Sequence, residues 1–219
     1  PRPVDEIIHQ DTDPDYRVLD LSVNTFNDAI QSYHHKCIGG YSPVKLQRYQ
    51  DLIDRYITKE IRDIYGAMEG AATVQEVADA LPETKVVSML NGRYIILDGN
   101  ISPVVNKYAY GNCWFVDSYI PAATPDEEIA LLAHTDLRNT AVIGDDFAWA
   151  QDAIRHFEHS SDCHFELVEK SPTIALTHYA PNELRYAFST EAESAAVFSE
   201  IYYPEGWKAW IEPAGAYGE

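Results

Sequence analysis

The sequence predicts an α+β fold: an N-terminal mixed α/β layer followed by an antiparallel β-sheet that forms a partial β-sandwich. Three observations predict it. Between residues 42 and 144, helical periodicity and capped helix starts alternate with short β-branched and aromatic runs. Beyond about residue 160 the helical period disappears, and short alternating runs are joined by turn residues. Apolar residues make up 46 % of the 219, with 7 Phe, 4 Trp and 15 Tyr, enough to build a dense core. The expected division is a mixed α/β domain over residues 1–160 and an antiparallel β domain over 161–219.

The elements follow in order. Residues 1–16 are polar, with "DTDPDY" as a turn cluster. "YRVLDL" (16–21) reads as a strand. A long connection, 24–43, is made to bend by Gly39 and Gly40. Ser42 as N-cap and Pro43 at the first helical position open a helix. Leu46, Tyr49, Ile53, Ile57, Ile61 and Ile64 recur along it at spacings of three and four, ending near Gly66. Thr73 and Glu76 form a capping box for a second helix reaching about Leu81. "KVVSMLN" fits helix or strand. "RYIILDG" (93–99) and "CWFVDSYI" (113–120) read as strands, Thr124 and Pro125 open a helix to about Ala133, and "TAVIG" (140–144) is a strand. Later, "HFELVEK", "TIALTHYA", "ELRYAFS", "AAVFSEIYY" and "WKAWIE" are strand patterns separated by turns.

The charge balance narrows the function. Acidic residues number 35 against 16 basic ones, a formal charge of −19. Such a surface repels phosphate backbones, so nucleic acid is not an expected partner. Cys37, Cys113 and Cys163 form neither a disulfide framework nor a zinc pattern; three buried thiols, or one disulfide and one thiol, both fit. No apolar run approaches the roughly 20 residues that span a bilayer, and no signal peptide is evident. The opening "PRPVDEII" reads as a piece of something larger.

Two histidine groups carry possible chemistry. "HFEH" (156–159) places His156 and His159 one turn apart, with Cys163 and His164 nearby, but further metal ligands are not specified; no metal or cofactor is expected. "YHHK" puts His34 and His35 between Tyr33 and Lys36 in the long loop. One of them can serve as acid or base, or can instead pin the loop by a hydrogen bond to backbone. Carboxylate pairs such as Asp145 with Asp146, Glu127 with Glu128, and Asp11 with Asp13 are expected by chance among so many acids. No nucleophile elbow, phosphate loop or zinc-protease motif is found.

The run "VFSEIYYPEGWKAWIE" (197–212) has five aromatics among thirteen residues from Phe198 to Trp210. Read as two paired strands, it offers rings to both faces. That fits core packing, or a core face backed by a face that stacks on sugar C–H groups.

Several segments together carry a family resemblance. "YRVLDLSVNTFNDAIQSYHHKCIGGYSPVKLQRYQDLID" (16–54), "MLNGRYIIL" (89–97), "GNCWFVDSYI" (111–120), "YAPNELRYAFS" (179–189) and the 197–212 run resemble, in order, the extracytoplasmic part of YfhO-like bacterial membrane proteins, with a Bacteroides-type flavour. That family is similar to the GT-C glycosyltransferases, which use lipid-linked sugars outside the cytoplasmic membrane. The resemblance implies an exported periplasmic domain tethered to the inner membrane, whose partners are the parent's membrane helices and an envelope glycan or lipid-linked saccharide. The family's catalytic carboxylates lie in an early loop between membrane helices, a region without a counterpart here, so no catalytic residue carries over. Members also continue beyond the Gly-Trp-Lys-Ala segment, which implies an exposed sheet edge at the end of this chain.

The expected role is a non-catalytic domain that binds or positions a glycan acceptor through Tyr33, His34, His35, Tyr41, Tyr202, Trp207 and Trp210. The alternatives are an assembly module that docks a partner protein or the parent's other loops without binding sugar, and an independent hydrolase using the His34/His35 loop.

Overall fold

A computed structural model describes residues 1–147, 172–191, 194–203 and 205–212. The fold is α+β, with several small sheets rather than one large one. The central sheet has β1 (Arg17–Asp20) parallel to β2 (Gly92–Ile96), which pairs antiparallel with β3 (Val104–Val105). The chain at Cys37 adds a parallel bridge to Val18, through Val18 N to Lys36 O (2.8 Å) and Ile38 N to Val18 O (3.0 Å). All four residues of β1 are buried, and its side chains alternate between two cores. Val18 and Ile96 pack with Val4 and Ile8 of α1 (Pro3–Ile8). Leu19 and Ile95 pack into the larger core with Ile38, Ile53, Ile57, Ile64, Val77, Val86 and Val87.

The helices supply that larger core. α2 (Gln47–Leu52) runs through a π turn (Ile53–Ile57) into α3 (Thr58–Met68), followed by α4 (Val74–Ala80) and α5 (Lys85–Met89). Helix formation begins at Gln47, not at Ser42, because the Ser42 hydroxyl is engaged locally with Val44 O (2.9 Å) and Leu46 is extended. Thr73 accepts from Glu76 N (3.2 Å) as the spacing predicts, while the Glu76 carboxylate takes Ala72 N. The ambiguous "KVVSMLN" is helical because Glu60, one layer away, accepts the amides of Val86 and Val87, both at 2.9 Å, at the start of α5. The chain leaves α5 through Asn91 in the left-handed region (φ 54°), which Asn tolerates. Gly92 then lets β2 approach closely: a Cβ there would lie 2.6 Å from Val87 Cγ1.

Residues 113–120 are not one strand. β4 (Cys113–Val116) and β5 (Ser118–Ala122) part at Asp117 and join different sheets. β5 runs parallel to β6 (Thr140–Gly144) across α6 (Pro125–Leu131), a helix capped by Thr124 accepting Glu127 N (3.2 Å). β4 pairs antiparallel with β9 (Ala195–Phe198), so a strand of the C-terminal region completes an N-terminal pair. β7 (Thr173–Ala180) and β8 (Glu183–Ser189) form a hairpin around Pro181 and Asn182, with β7 alongside β4.

The expectation of paired strands at 197–212 is corrected. β9 ends at Phe198, and residues 207–212 form no strand. The amides of Gly206 and Trp207 both bond to Tyr203 O (3.0 and 3.2 Å), turning the chain locally instead of extending it. Cys37 and Cys113 are free thiols. No helix among the described residues is long and apolar enough to cross a membrane.

Candidate functional site

Two short segments and one strand converge beside α1. In the first segment, Asp13 N bonds to Asp11 Oδ1 (2.9 Å) and Asp15 N to Asp13 Oδ1 (3.0 Å), so "DTDPD" folds on its own carboxylates. From β2, Arg93 grips Asp11 Oδ2 (2.9 Å) and Asp13 Oδ2 (2.6 Å), while the Tyr94 hydroxyl donates to Asp11 Oδ2 (2.7 Å). This acidic pair is thus an ordered, Arg-clamped structure rather than a chance neighbourhood.

The second segment is the His34–Lys36 turn. His35 is buried, and its Nε2 lies 3.0 Å from Asp5 Oδ1. Asp5 is itself held by Arg2, whose guanidinium also reaches Asp20 (2.8 Å) and Ser22 (2.9 Å). Burial alone would raise the Asp5 carboxyl. The Arg2 side chain and backbone N–H together with His35 more than offset it, and the group stays well below the ordinary carboxylate range. Burial lowers His35 and outweighs the attraction of Asp5, which favours the neutral ring. His9 Nε2 is 3.0 Å from His34 O, and because a carbonyl only accepts, that nitrogen carries the proton. The His9 and His35 rings are 4.9 Å apart, and the His34 and His35 rings 6.4 Å.

Lys36 joins these segments to the C-terminal hairpin. Its ammonium is 2.6 Å from Asp15 Oδ1, 3.7 Å from Glu200 Oε1 and 4.1 Å from the centre of the Tyr179 ring. Burial lowers Lys36, but Asp15, Tyr179 and Glu200 prevail, so its pKa is raised and it stays charged. Next to it, Arg17 donates to Leu90 O (2.9 Å), Ser199 O (2.5 Å) and Glu200 Oε2 (3.1 Å).

The result is a concavity of about 280 Å³ lined by His9, Asp11, Asp13, Pro14, Tyr16, His34, His35, Lys36 and Tyr179. Two aromatic rings and several polar groups thus line one hollow. A second concavity, about 260 Å³ between α4 and β3, brings together mainly aliphatic groups with Asp79 and Lys107.

Of the residues singled out from sequence, His34 and His35 line the first concavity; Tyr33, Tyr41, Tyr202, Trp207 and Trp210 do not. Tyr33 is 81 % exposed, Tyr41 60 % and Trp210 69 %, with Tyr202 and Trp207 less so. Tyr202 meets the Phe147 ring at 4.9 Å, and Trp207 Nε1 donates to Ile201 O (3.1 Å). His35 is the histidine that pins the loop, through the Asp5 carboxylate rather than a backbone group. Its side chain is 1 % exposed.

Asp5, Arg93, Tyr16 and Tyr179 were missed from sequence. The one available signal was the spacing of Asp11, Asp13 and Asp15. The His156/His159 pattern and Cys163 lie outside the described residues. Among the described residues, no group of His, Cys, Asp or Glu is arranged to hold a metal. No protein-family model, curated protein or solved structure matches the chain.

Proposed function

We propose that this chain is a non-catalytic extracytoplasmic domain of a membrane protein resembling the GT-C glycosyltransferases, and that it binds or positions an envelope glycan acceptor. The observation that carries the reading is the concavity framed by Tyr16 and Tyr179, with His34, Asp11 and Asp13 as polar partners. Paired rings and clustered hydrogen-bonding groups are the elements of a saccharide site. The exposed Tyr33, Tyr41, Tyr202, Trp207 and Trp210 are further contacts for a longer glycan. A glycan array followed by calorimetry tests the reading. Binding weakened by His34→Ala supports it, and an array without any hit overturns it.

The second reading is an assembly module that docks a partner protein or the parent's other loops. It is favoured by the exposure of Tyr202, Tyr203, Trp207, Trp210 and Ile211, for which residues 207–212 provide no strand pairing. Partner capture that disappears with a Trp210→Ser, Ile211→Ser double variant, alongside a blank array, decides for it.

A further inference from the structure

We infer that the concavity beside α1 takes a hydroxyl-rich saccharide free of phosphate and carboxylate groups, in contact with Tyr179, and that Lys36 positions Tyr179 instead of binding the ligand. The inference rests on the glycan-binding reading and narrows it to a substrate class.

The cations around the concavity are already committed. Lys36 is the lysine that lines the concavity, and it is already engaged with Asp15 at 2.6 Å, with Glu200 at 3.7 Å and with the Tyr179 ring at 4.1 Å. Arg93 stands behind the lining with both terminal nitrogens bonded to Asp11 and Asp13. An entering phosphate therefore meets two carboxylates before any uncommitted cation, on a chain of net charge −19. Like charges at contact range disfavour that approach.

Hydroxyl groups meet the opposite situation. A carboxylate has about four acceptor positions. Asp11 fills three of them, with Asp13 N, Arg93 and Tyr94, and Asp13 fills two, with Asp15 N and Arg93. The remaining lone pairs accept from sugar hydroxyls; His9, whose Nε2–H is taken by His34 O, offers Nδ1 as an acceptor, and the His34 imidazole both donates and accepts. Tyr179 comes from β7 whereas the other lining residues come from the first 36, so its ring reaches the concavity only if the hairpin is held there. Lys36 makes that link, a cation against an aromatic face.

The test is an array at a pH near 8, where an ordinary imidazole is neutral. It carries cellotriose, mannotriose and chitotriose as uncharged probes, with trigalacturonate and mannotriose 6-phosphate as anionic ones. Uncharged probes are expected to bind at least about tenfold more tightly than anionic ones. Hits confined to the anionic probes, or equal binding of both classes, overturn this inference and leave the glycan reading standing. A blank array overturns both.

For the positioning claim, Tyr179→Leu and Lys36→Met are each expected to weaken the uncharged hit about five- to tenfold, within the range of an aromatic contact. Tyr179→Phe is expected to stay within about twofold, because the ring is kept, and Lys36→Arg is expected to restore binding, because the cation is kept. Melting curves of each variant separate lost binding from lost fold. Unchanged affinity in folded Lys36→Met overturns the positioning role.

Discussion

β1 and β7 are both short strands, yet they are built on opposite terms. Every residue of β1 is buried, with aliphatic side chains on both faces and its charged ends, Arg17 and Asp20, paired. None of the eight residues of β7 is buried, and none in β8 or β9 either, although this region is rich in rings. The N-terminal layer is held by a core. β9 is held by its ladder with β4 and by Ala195 and Val197 resting on the small Tyr110, Trp114, Val116 and Leu137 cluster, and the hairpin region adds directed links: Arg17 to Ser199 and Glu200, Lys36 to Glu200 and Tyr179, and the Tyr186–Phe198 ring pair at 4.8 Å. Aromatic content is therefore a poor guide to burial here, while aliphatic spacing is a good one.

That contrast can be tested from its strongest side. Ile57→Ala, at a fully buried position of the π turn, is expected to cost about 2–5 kcal/mol in a urea titration. Asp5→Ala leaves His35 without its carboxylate and takes one of two from Arg2; a loss of about 3 kcal/mol is expected by the same measurement. Arg17→Met removes the donor from Leu90 O, Ser199 O and Glu200, so about 1–3 kcal/mol is expected. Hydrogen exchange should show that loss as faster opening of β9 ahead of β1 and β2. The contrast fails if both regions open together.

Acid supplies a smaller, graded version. Asp5 has a folded pKa below its ordinary value of about 4, so its stabilisation is complete above that value. It is lost as pH falls toward the folded value, where the native carboxylate also takes up a proton. Stability measured against pH should fall more steeply below about 4 in the natural chain than in Asp5→Asn. At the far end, Trp210→Ala is expected to change stability by less than about 0.5 kcal/mol.

Much of the fold was legible because it depends on local rules. The Ile53, Ile57, Ile64 stripe, the Thr73 and Thr124 caps, and the alternation of Leu184, Tyr186 and Phe188 are written within a few residues of where they act. The break at Asp117 was not legible, since it depends on β9 recruiting β4 from about eighty residues away. The candidate site was legible at His34 and His35, with Lys36 beside them and Asp11 and Asp13 as a spaced carboxylate pair. Its other members gather through pairings such as Arg93 with Asp11 and Lys36 with Glu200, whose sequence separations carry no periodic signal. The rings of 202–210 are conspicuous by number, but number alone does not distinguish an enclosed strand from an exposed turn.

The π turn at Ile53–Ile57 gives the long helix a property that its composition does not suggest. From Tyr49 to Ile61 the apolar positions advance by four, four and four. In an uninterrupted α-helix each such step overshoots a full revolution by about 40°, and the stripe would wind away from the sheet. The wider turn absorbs the excess, so Ile53, Ile57 and Ile64 all reach one core. The helix thus behaves as though it carried one supernumerary residue that the stripe has been spaced to accommodate. Its tolerance should accordingly be lopsided: substitution at the exposed Arg55 leaves the phase intact, whereas excising that residue rotates everything on one side of the cut against everything on the other.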